Sequence, residues 1–159
     1  MIAGSSAGLR RWGPPAVWMA VIGLCSTDAF GAEETSRLIG PLLRWLFPTA
    51  SPDTIGLLHG AVRKLGHVAE YGILAILWQR ALAWGPAGRQ PGAAFRALLV
   101  SVGFAVLDET HQAFQTARTG SPVDVGWDAL GAVLGLLVRR LGRGFPQNVT
   151  PRAARLPGR

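Results

Sequence analysis

Three short segments of the chain carry ionisable and amide side chains at helical spacing. In the first, residues 63–74 (RKLGHVAEYGIL), His67, Glu70, Tyr71 and Leu74 would share one face of a helix. Arg63 lies one turn earlier on the same stripe, beside Lys64. A histidine next to a carboxylate can transfer protons, bind a metal ion or form a structural ion pair.

The second segment, residues 108–118 (DETHQAFQTAR), begins with two acids and ends at Arg118. Helical spacing predicts that one face carries Asp108, His111, Gln112 and Gln115. Glu109, together with Gln112, covers the neighbouring face. This segment therefore adds acids, an imidazole and amides that could meet the first segment.

The third segment opens the last apolar stretch of the chain. Asp124, Asp128, Gly131 and Gly135 follow one another at spacings of four, three and four, which predicts a single helix face. The GAVLG sequence is a small-xxx-small pattern, which lets two helices approach closely. We therefore expect a helix-packing role for Gly131 and Gly135 beside the two carboxylates.

These residues leave four interpretations open. Acid/base catalysis on an amphiphile is the first, with phosphate bound by Arg63, Lys64 and Arg118. The catalytic candidates would be His67, Glu70, Asp108, Glu109 and Asp124. The second is a metal site that combines His67 and Glu70 with Asp108, Glu109 or His111. The third is a pocket that binds a ligand without reaction, and the fourth is a network in which the charges only neutralise one another.

The sequence assigns no catalytic residue, metal or cofactor. Ser121 lacks the elbow motif of a nucleophilic serine, and Cys25 lies inside an apolar run. Because Cys25 is the single cysteine, the chain cannot form an intrachain disulfide or a cysteine-based zinc site.

Four apolar stretches must position these groups, at about 14–26, 65–84, 93–107 and 123–138. Each is near or slightly below the ~20 residues that cross a bilayer as a helix. Only 16% of the residues are charged, compared with about a quarter in a typical soluble domain. Four such stretches in 159 residues leave too little polar sequence to cover a soluble core. The sequence therefore predicts an all-α bundle of four transmembrane helices.

The charges predict the orientation of these helices. One side holds all nine acids, and the other holds most of the sixteen basic residues and no acid. The basic residues on that acid-free side are Arg10, Arg11, Arg80, Arg89, Arg96, Arg139, Arg140, Arg143, Arg152, Arg155 and Arg159. Arginine-rich short loops stay cytoplasmic, so both termini are predicted inside a multi-pass protein of the inner (cytoplasmic) membrane. Anionic membrane lipids suffice as partners of the basic tail, and nucleic acid is not needed.

The remaining segments fit around this bundle. Residues 35–47 (TSRLIGPLLRWLF) predict a short interfacial helix between the first two spans, weakened by Pro41. Residues 1–13 are predicted as a cytoplasmic segment, 14–141 as the membrane domain and 142–159 as a disordered basic tail. Arg10-Arg11 and the apolar run after it also fit a signal peptide loosely, so cleavage is an open alternative.

The polar face of each membrane helix is expected to point into the bundle, because a carboxylate that faces lipid is costly. All three polar segments begin on the extracytoplasmic side. The sequence therefore predicts a shared polar pocket in the outer half of the bundle. Its expected ligand-binding residues are Arg63, Lys64, His67, Glu70, Tyr71, Asp108, Glu109, Gln112, Arg118, Asp124 and Asp128.

The same motifs resemble the VanZ-like family, small membrane proteins related to a teicoplanin-resistance protein. The family pattern is RK-x-x-H-x-x-E-Y, then DE-x-x-Q, then R-x-G/S, then D-x-x-x-N-x-x-G-x-x-x-G. The matching residues are Arg63, Lys64, His67, Glu70, Tyr71, Asp108, Glu109, Gln112, Arg118, Asp124, Gly131 and Gly135. Asp128 departs from the pattern, because it stands where Asn is expected.

The resemblance covers roughly residues 14–141 and implies a role in the cell envelope. Under it, the pocket is expected to bind a lipid-linked precursor or an amphiphilic drug, with a contribution to glycopeptide resistance. The alternative is a membrane-embedded enzyme, acid/base or metal-dependent, that acts on a polyprenyl phosphate or a lipid head group. Asp128, if it is buried in place of an amide, must be protonated or matched by a cation.

Overall fold

The computed structural model describes residues 3–84, 90–115 and 120–142. Within these ranges the chain forms five α-helices, one short 3-10 turn at Asp28–Phe30 and no strand. The helices are α1 (Ala3–Cys25), α2 (Ala32–Leu46), α3 (Pro52–Leu82), α4 (Ala93–Ala113) and α5 (Pro122–Gly142). The predicted all-α fold class is therefore confirmed.

Local sequence explains where α3 and α4 begin. Ser51 caps α3 by accepting a hydrogen bond from the Thr54 amide at 3.2 Å, and Pro52 occupies the first helical turn, where its missing N–H costs nothing. Gly92 precedes α4 with a φ of 75°, a left-handed conformation that favours glycine. Ser51 and Gly92 therefore define where two of the helices that carry the candidate site begin.

Helix α2 occupies the segment that was predicted as a short helix. It begins at Ala32 and continues through Pro41 without a break. Large apolar side chains of α2 point away from the other helices: Leu38 is 79% exposed and Trp45 is 76% exposed. Leu43 is the buried residue of this helix. Most of the apolar surface of α2 is therefore available to something outside the fold.

The four long helices run in alternating directions. Helix α1 is antiparallel to α3, because Arg11 Nε donates to the Ala81 carbonyl at 2.9 Å while Trp18 Nε1 donates to the Glu70 carbonyl at 2.9 Å. Helix α4 is also antiparallel to α3, since Asp108 near its end lies beside Tyr71, while Ala94 at its start lines a cavity with Gln79 near the end of α3. The end of α4 and the start of α5 consequently meet against the middle of α3.

Helices α3 and α5 lie parallel and close together. A β-carbon at Gly131 would overlap the backbone of Val68, and one at Gly135 would overlap the backbone of Gly72. Only glycine permits this approach, because no side-chain atom stands between the two backbones. The contact fixes the register that brings the first turns of α5 against the middle of α3.

A small apolar core holds the remaining faces together. It is built from Ile22, Tyr71, Leu74 and Ala105, all nearly or fully buried. Large apolar side chains are by contrast exposed along every long helix, among them Val17, Leu65, Phe95, Leu107, Val138 and Leu141. The fold therefore buries mostly small and polar residues and leaves large apolar ones outside.

Within the described residues, no single helix is long and apolar enough to qualify as a membrane span. The stretch Ser6–Cys25 meets the criterion only together with Asp28–Leu46, as a pair bent by 75°. The four spans and the orientation of the termini thus stay predictions. Helix α1 begins at Ala3, eleven residues before the predicted apolar stretch. The predicted basic tail lies beyond position 142, outside the described residues.

Candidate functional site

Asp108, near the end of α4, accepts hydrogen bonds from three side chains. Its Oδ2 atom receives the Ser26 hydroxyl at 2.8 Å, the Gln112 amide at 3.1 Å and the Tyr71 hydroxyl at 3.3 Å. Asp108, Gln112, Ser26 and Tyr71 are all buried. Neutral donors from α3, from α4 and from the turn after α1 therefore replace the water that this carboxylate loses on burial.

Glu109, the next residue, faces the loop that leads into α5. Its Oε2 accepts the Ser121 amide at 2.8 Å, and its Oε1 accepts the Gln112 amide at 3.5 Å. Gly120 makes this contact possible, because a β-carbon there would overlap the Glu109 carbonyl. Glu109 is 5% exposed, so a second carboxylate is buried at this end of the fold.

His67 and Asp128 form a pair across the α3–α5 contact. The Nδ1 atom of His67 donates to Oδ1 of Asp128 at 2.9 Å, and Asp128 is 0% exposed. The Oδ2 atom of Asp128 is buried and has no hydrogen-bond partner among the described residues. Asp128, which stands where the family pattern has Asn, is thus hydrogen-bonded to an imidazole through one of its two oxygens.

Lys64 and Asp124 form a second pair one turn further out. Their Nζ and Oδ1 atoms are 2.9 Å apart, and both side chains are partly exposed. The ammonium also lies 5.7 Å from the ring centre of Trp127. This pair lies at the edge of the α3–α5 contact. A partly exposed ion pair of this kind contributes little to stability.

A cavity of about 270 Å³ opens beside these groups, between the end of α1, α2 and α3. Its lining includes the polar side chains of Arg63, His67, Glu70 and Gln112. It also includes the apolar side chains of Phe30, Ile39 and Val62. The cavity can therefore receive a molecule that has a polar end and an apolar body.

One donor atom from each of His67, Glu109 and Asp128 lies within 4.8 Å of the others, which is a spacing that could hold a metal ion. The set differs from the metal site considered from sequence, which paired His67 with Glu70. His111 takes no part in it, because its exposed ring is bonded to Gln115 on its own helix at 3.0 Å.

The structure brings most of the predicted site residues to one end of the fold. Arg118 lies outside the described residues, so its predicted place in the pocket is not described. Sequence reasoning missed Ser26 and the backbone amide of Ser121, which bind Asp108 and Glu109. Ser26 ends the first apolar stretch, and a hydroxyl at that point was the available signal.

Comparison with known proteins identifies the family. The family model described as VanZ/LLP1 matches residues 16–143, which agrees with the extent of the resemblance found from the motifs. Neither the curated proteins nor the solved structures gave a match. Because the matched region covers most of the chain, the protein belongs to the VanZ/LLP1 family.

Proposed function

We propose that the protein is a multi-pass protein of the cytoplasmic membrane, with α1, α3, α4 and α5 crossing it and both termini inside. The exposed large apolar side chains on all four helices support this, since soluble proteins rarely leave such continuous apolar surface uncovered. Membership of the VanZ/LLP1 family supports it as well. In this arrangement α2 lies on the outer surface, with Leu38 and Trp45 in the lipid interface.

Cysteine labelling tests this orientation. In a Cys25→Ala background, Thr49→Cys between α2 and α3 should react with a membrane-impermeant maleimide in intact spheroplasts, whereas Gln90→Cys before α4 should react only after lysis. Both positions are exposed, so accessibility depends on the membrane rather than on the fold. Equal labelling of the two positions in intact spheroplasts would contradict the proposed topology.

The function that the geometry supports best is binding of an anionic amphiphile in the cavity between α1, α2 and α3. The observation that carries this proposal is the mixed lining of the cavity: Arg63 and His67 come from α3, whereas Phe30 and Ile39 come from the 3-10 turn and α2. A guanidinium binds phosphate or carboxylate with directed, charge-assisted hydrogen bonds. The apolar wall, continuous with α2, would accept the first part of a lipid chain.

A lipid-linked envelope precursor, such as a polyprenyl phosphate, fits this description. The acyl tail of a lipoglycopeptide drug such as teicoplanin fits the same cavity from outside. Holding either molecule at the membrane surface would change how drug and precursor meet, which gives a physical route to glycopeptide resistance. Membrane lipids would surround the remaining apolar surface.

The second candidate is catalysis on the bound head group. The pair of His67 and Asp128 supports it, because His67 also lines the cavity and could exchange a proton with a molecule inside. Glu70, on the same wall, would be the partner acid. Turnover of a labelled polyprenyl phosphate by the purified protein, lost in Glu70→Gln, would favour this enzyme over a binding protein.

Binding to protein in lipid nanodiscs tests the main proposal. Arg63→Gln should weaken the binding of a fluorescent polyprenyl phosphate by about ten- to a hundred-fold, which corresponds to the ~1.5–3 kcal/mol of a charge-assisted hydrogen bond. Arg44→Gln is the matched control, because it removes the same charge from an exposed position of α2 outside the cavity. Equal effects of the two variants would show that the phosphate is attracted only by overall charge.

A further inference from the structure

Three carboxylates are buried where α3, α4 and α5 meet, and among the described residues only one of them lies in an ion pair. Asp108, Glu109 and Asp128 are each at most 6% exposed. Asp108 and Glu109 are held by hydroxyl, amide and backbone N–H donors. Among the described residues, the ion pair formed by this group is that of Asp128 with His67. Burial of a charge without a partner is costly, so the cluster favours a bound cation.

Asp128 points to where that cation would bind. Its Oδ2 atom is fully buried and unpartnered among the described residues, although the side chain is 0% exposed. Buried polar atoms are almost always hydrogen-bonded, so this oxygen needs a ligand that the described residues do not supply. His67 and Glu109 each place a donor atom within 4.8 Å of a carboxylate oxygen of Asp128.

We propose that His67, Glu109 and Asp128 form a binding site for a divalent transition-metal cation such as Zn²⁺ or Mn²⁺. The three residues come from α3, α4 and α5, so the ion would join three helices at one point. The site goes beyond the proposed head-group cavity, and its occupancy does not depend on a lipid ligand.

The distances are compatible with such an ion. Metal–ligand bonds of ~2.0–2.2 Å to both His67 Nδ1 and Asp128 Oδ1, which are 2.9 Å apart, enclose an angle of about 90°. That angle is the one between neighbouring ligands of an octahedral ion. Opposite ligands of the same ion are about 4 Å apart, close to the 4.8 Å that bounds the three donor atoms. The ion would replace the hydrogen that now joins the imidazole to Oδ1. If the carboxylate binds the ion through both oxygens, the same ion also supplies the partner that Oδ2 lacks among the described residues.

The donor set selects the class of ion. One imidazole and two carboxylates suit Zn²⁺, Mn²⁺ or Fe²⁺, whereas Ca²⁺ and Mg²⁺ prefer oxygen ligands alone. Three protein ligands also leave coordination positions open, as in catalytic metal sites. Because His67 lines the cavity, an open position there would be available to a phosphate oxygen of a bound amphiphile.

Metal titration of the full-length protein in detergent, after removal of metal by a chelator, tests this inference. We expect one Mn²⁺ to bind per chain, measured by loss of the free Mn²⁺ signal in electron paramagnetic resonance, and Zn²⁺ to compete for the same site. Asp128→Asn and Glu109→Gln should each weaken binding by about 100-fold or more. A millimolar excess of Mg²⁺ should not displace the ion.

Asp124→Asn is the matched control, because it removes an equal charge from the same helix one turn away, where Lys64 is the partner. It should change the affinity by no more than about three-fold. An equal loss of affinity in Asp124→Asn and Asp128→Asn, or no stoichiometric binding by the wild type, would overturn the proposal. Asn is the residue that the family pattern places at 128, so Asp128→Asn should fold, which circular dichroism can verify.

Discussion

Removal of the His67 side chain should destabilise the fold by leaving Asp128 buried without its partner. His67 Nδ1 is the hydrogen-bond partner of Asp128 among the described residues, and Asp128 is 0% exposed. Breaking a buried pair by removing one member costs about 3–5 kcal/mol. The His67 side chain retains 15% exposure, which admits some water, so we expect the lower end, ~3 kcal/mol, for His67→Ala.

A double-mutant cycle separates this charge effect from the loss of packing. Asp128→Asn alone should cost about 1 kcal/mol, because the neutral amide loses a strong bond but no longer carries a buried charge. In His67→Ala/Asp128→Asn the loss should be only ~2 kcal/mol, so the two substitutions are coupled by about 2 kcal/mol.

The assay is thermal unfolding in mild detergent, with a chelator present so that metal binding does not contribute. On the scaling known for soluble domains of this size, 3 kcal/mol corresponds to a fall in Tm of about 6–12 °C. If the effects of the two substitutions simply add, the pair does not hold Asp128 in place and the argument from charge burial is wrong.

Two further predictions concern packing and the Asp108 network. Gly135→Ala should lower the free energy of unfolding by about 1–3 kcal/mol, because its β-carbon would overlap the Gly72 backbone; Gly126→Ala, on the same helix with open space around it, should be neutral or stabilising by up to about 1 kcal/mol. Ser26→Ala should cost about 1–3 kcal/mol through the lost bond to Asp108, whereas Ser36→Ala on exposed α2 should stay within about 0.5 kcal/mol, both measured by the same thermal unfolding.

Helical spacing predicted much of the site because it depends only on the backbone geometry of each helix. The burial of Asp108 and Gln112 on one face of α4 follows from their separation of four residues. His111 shares that side of the helix by spacing, but its side chain is exposed. The inward face is centred between Asp108 and Glu109, and at about 100° per residue His111 falls outside it.

Contacts between helices could not be predicted in the same way. The pairing of Lys64 with Asp124, and of His67 with Asp128, requires the parallel register of α3 and α5. The GAVLG pattern suggested a close contact but not which helix provides it or at which level. Ser26 was missed for the same reason, since its bond to Asp108 depends on how α1 lies against the other helices.

Photo-crosslinking in native membranes tests whether the cavity beside Arg63 receives the head group of an anionic amphiphile. A polyprenyl phosphate with a diazirine next to its phosphate should label peptides that contain Phe30, Ile39 or Val62, and Arg63→Gln should abolish that labelling. Labelling that is unchanged in Arg63→Gln, or that falls mainly near Leu98 and Leu137 at the opposite end of the fold, would show that the head group does not bind beside Arg63.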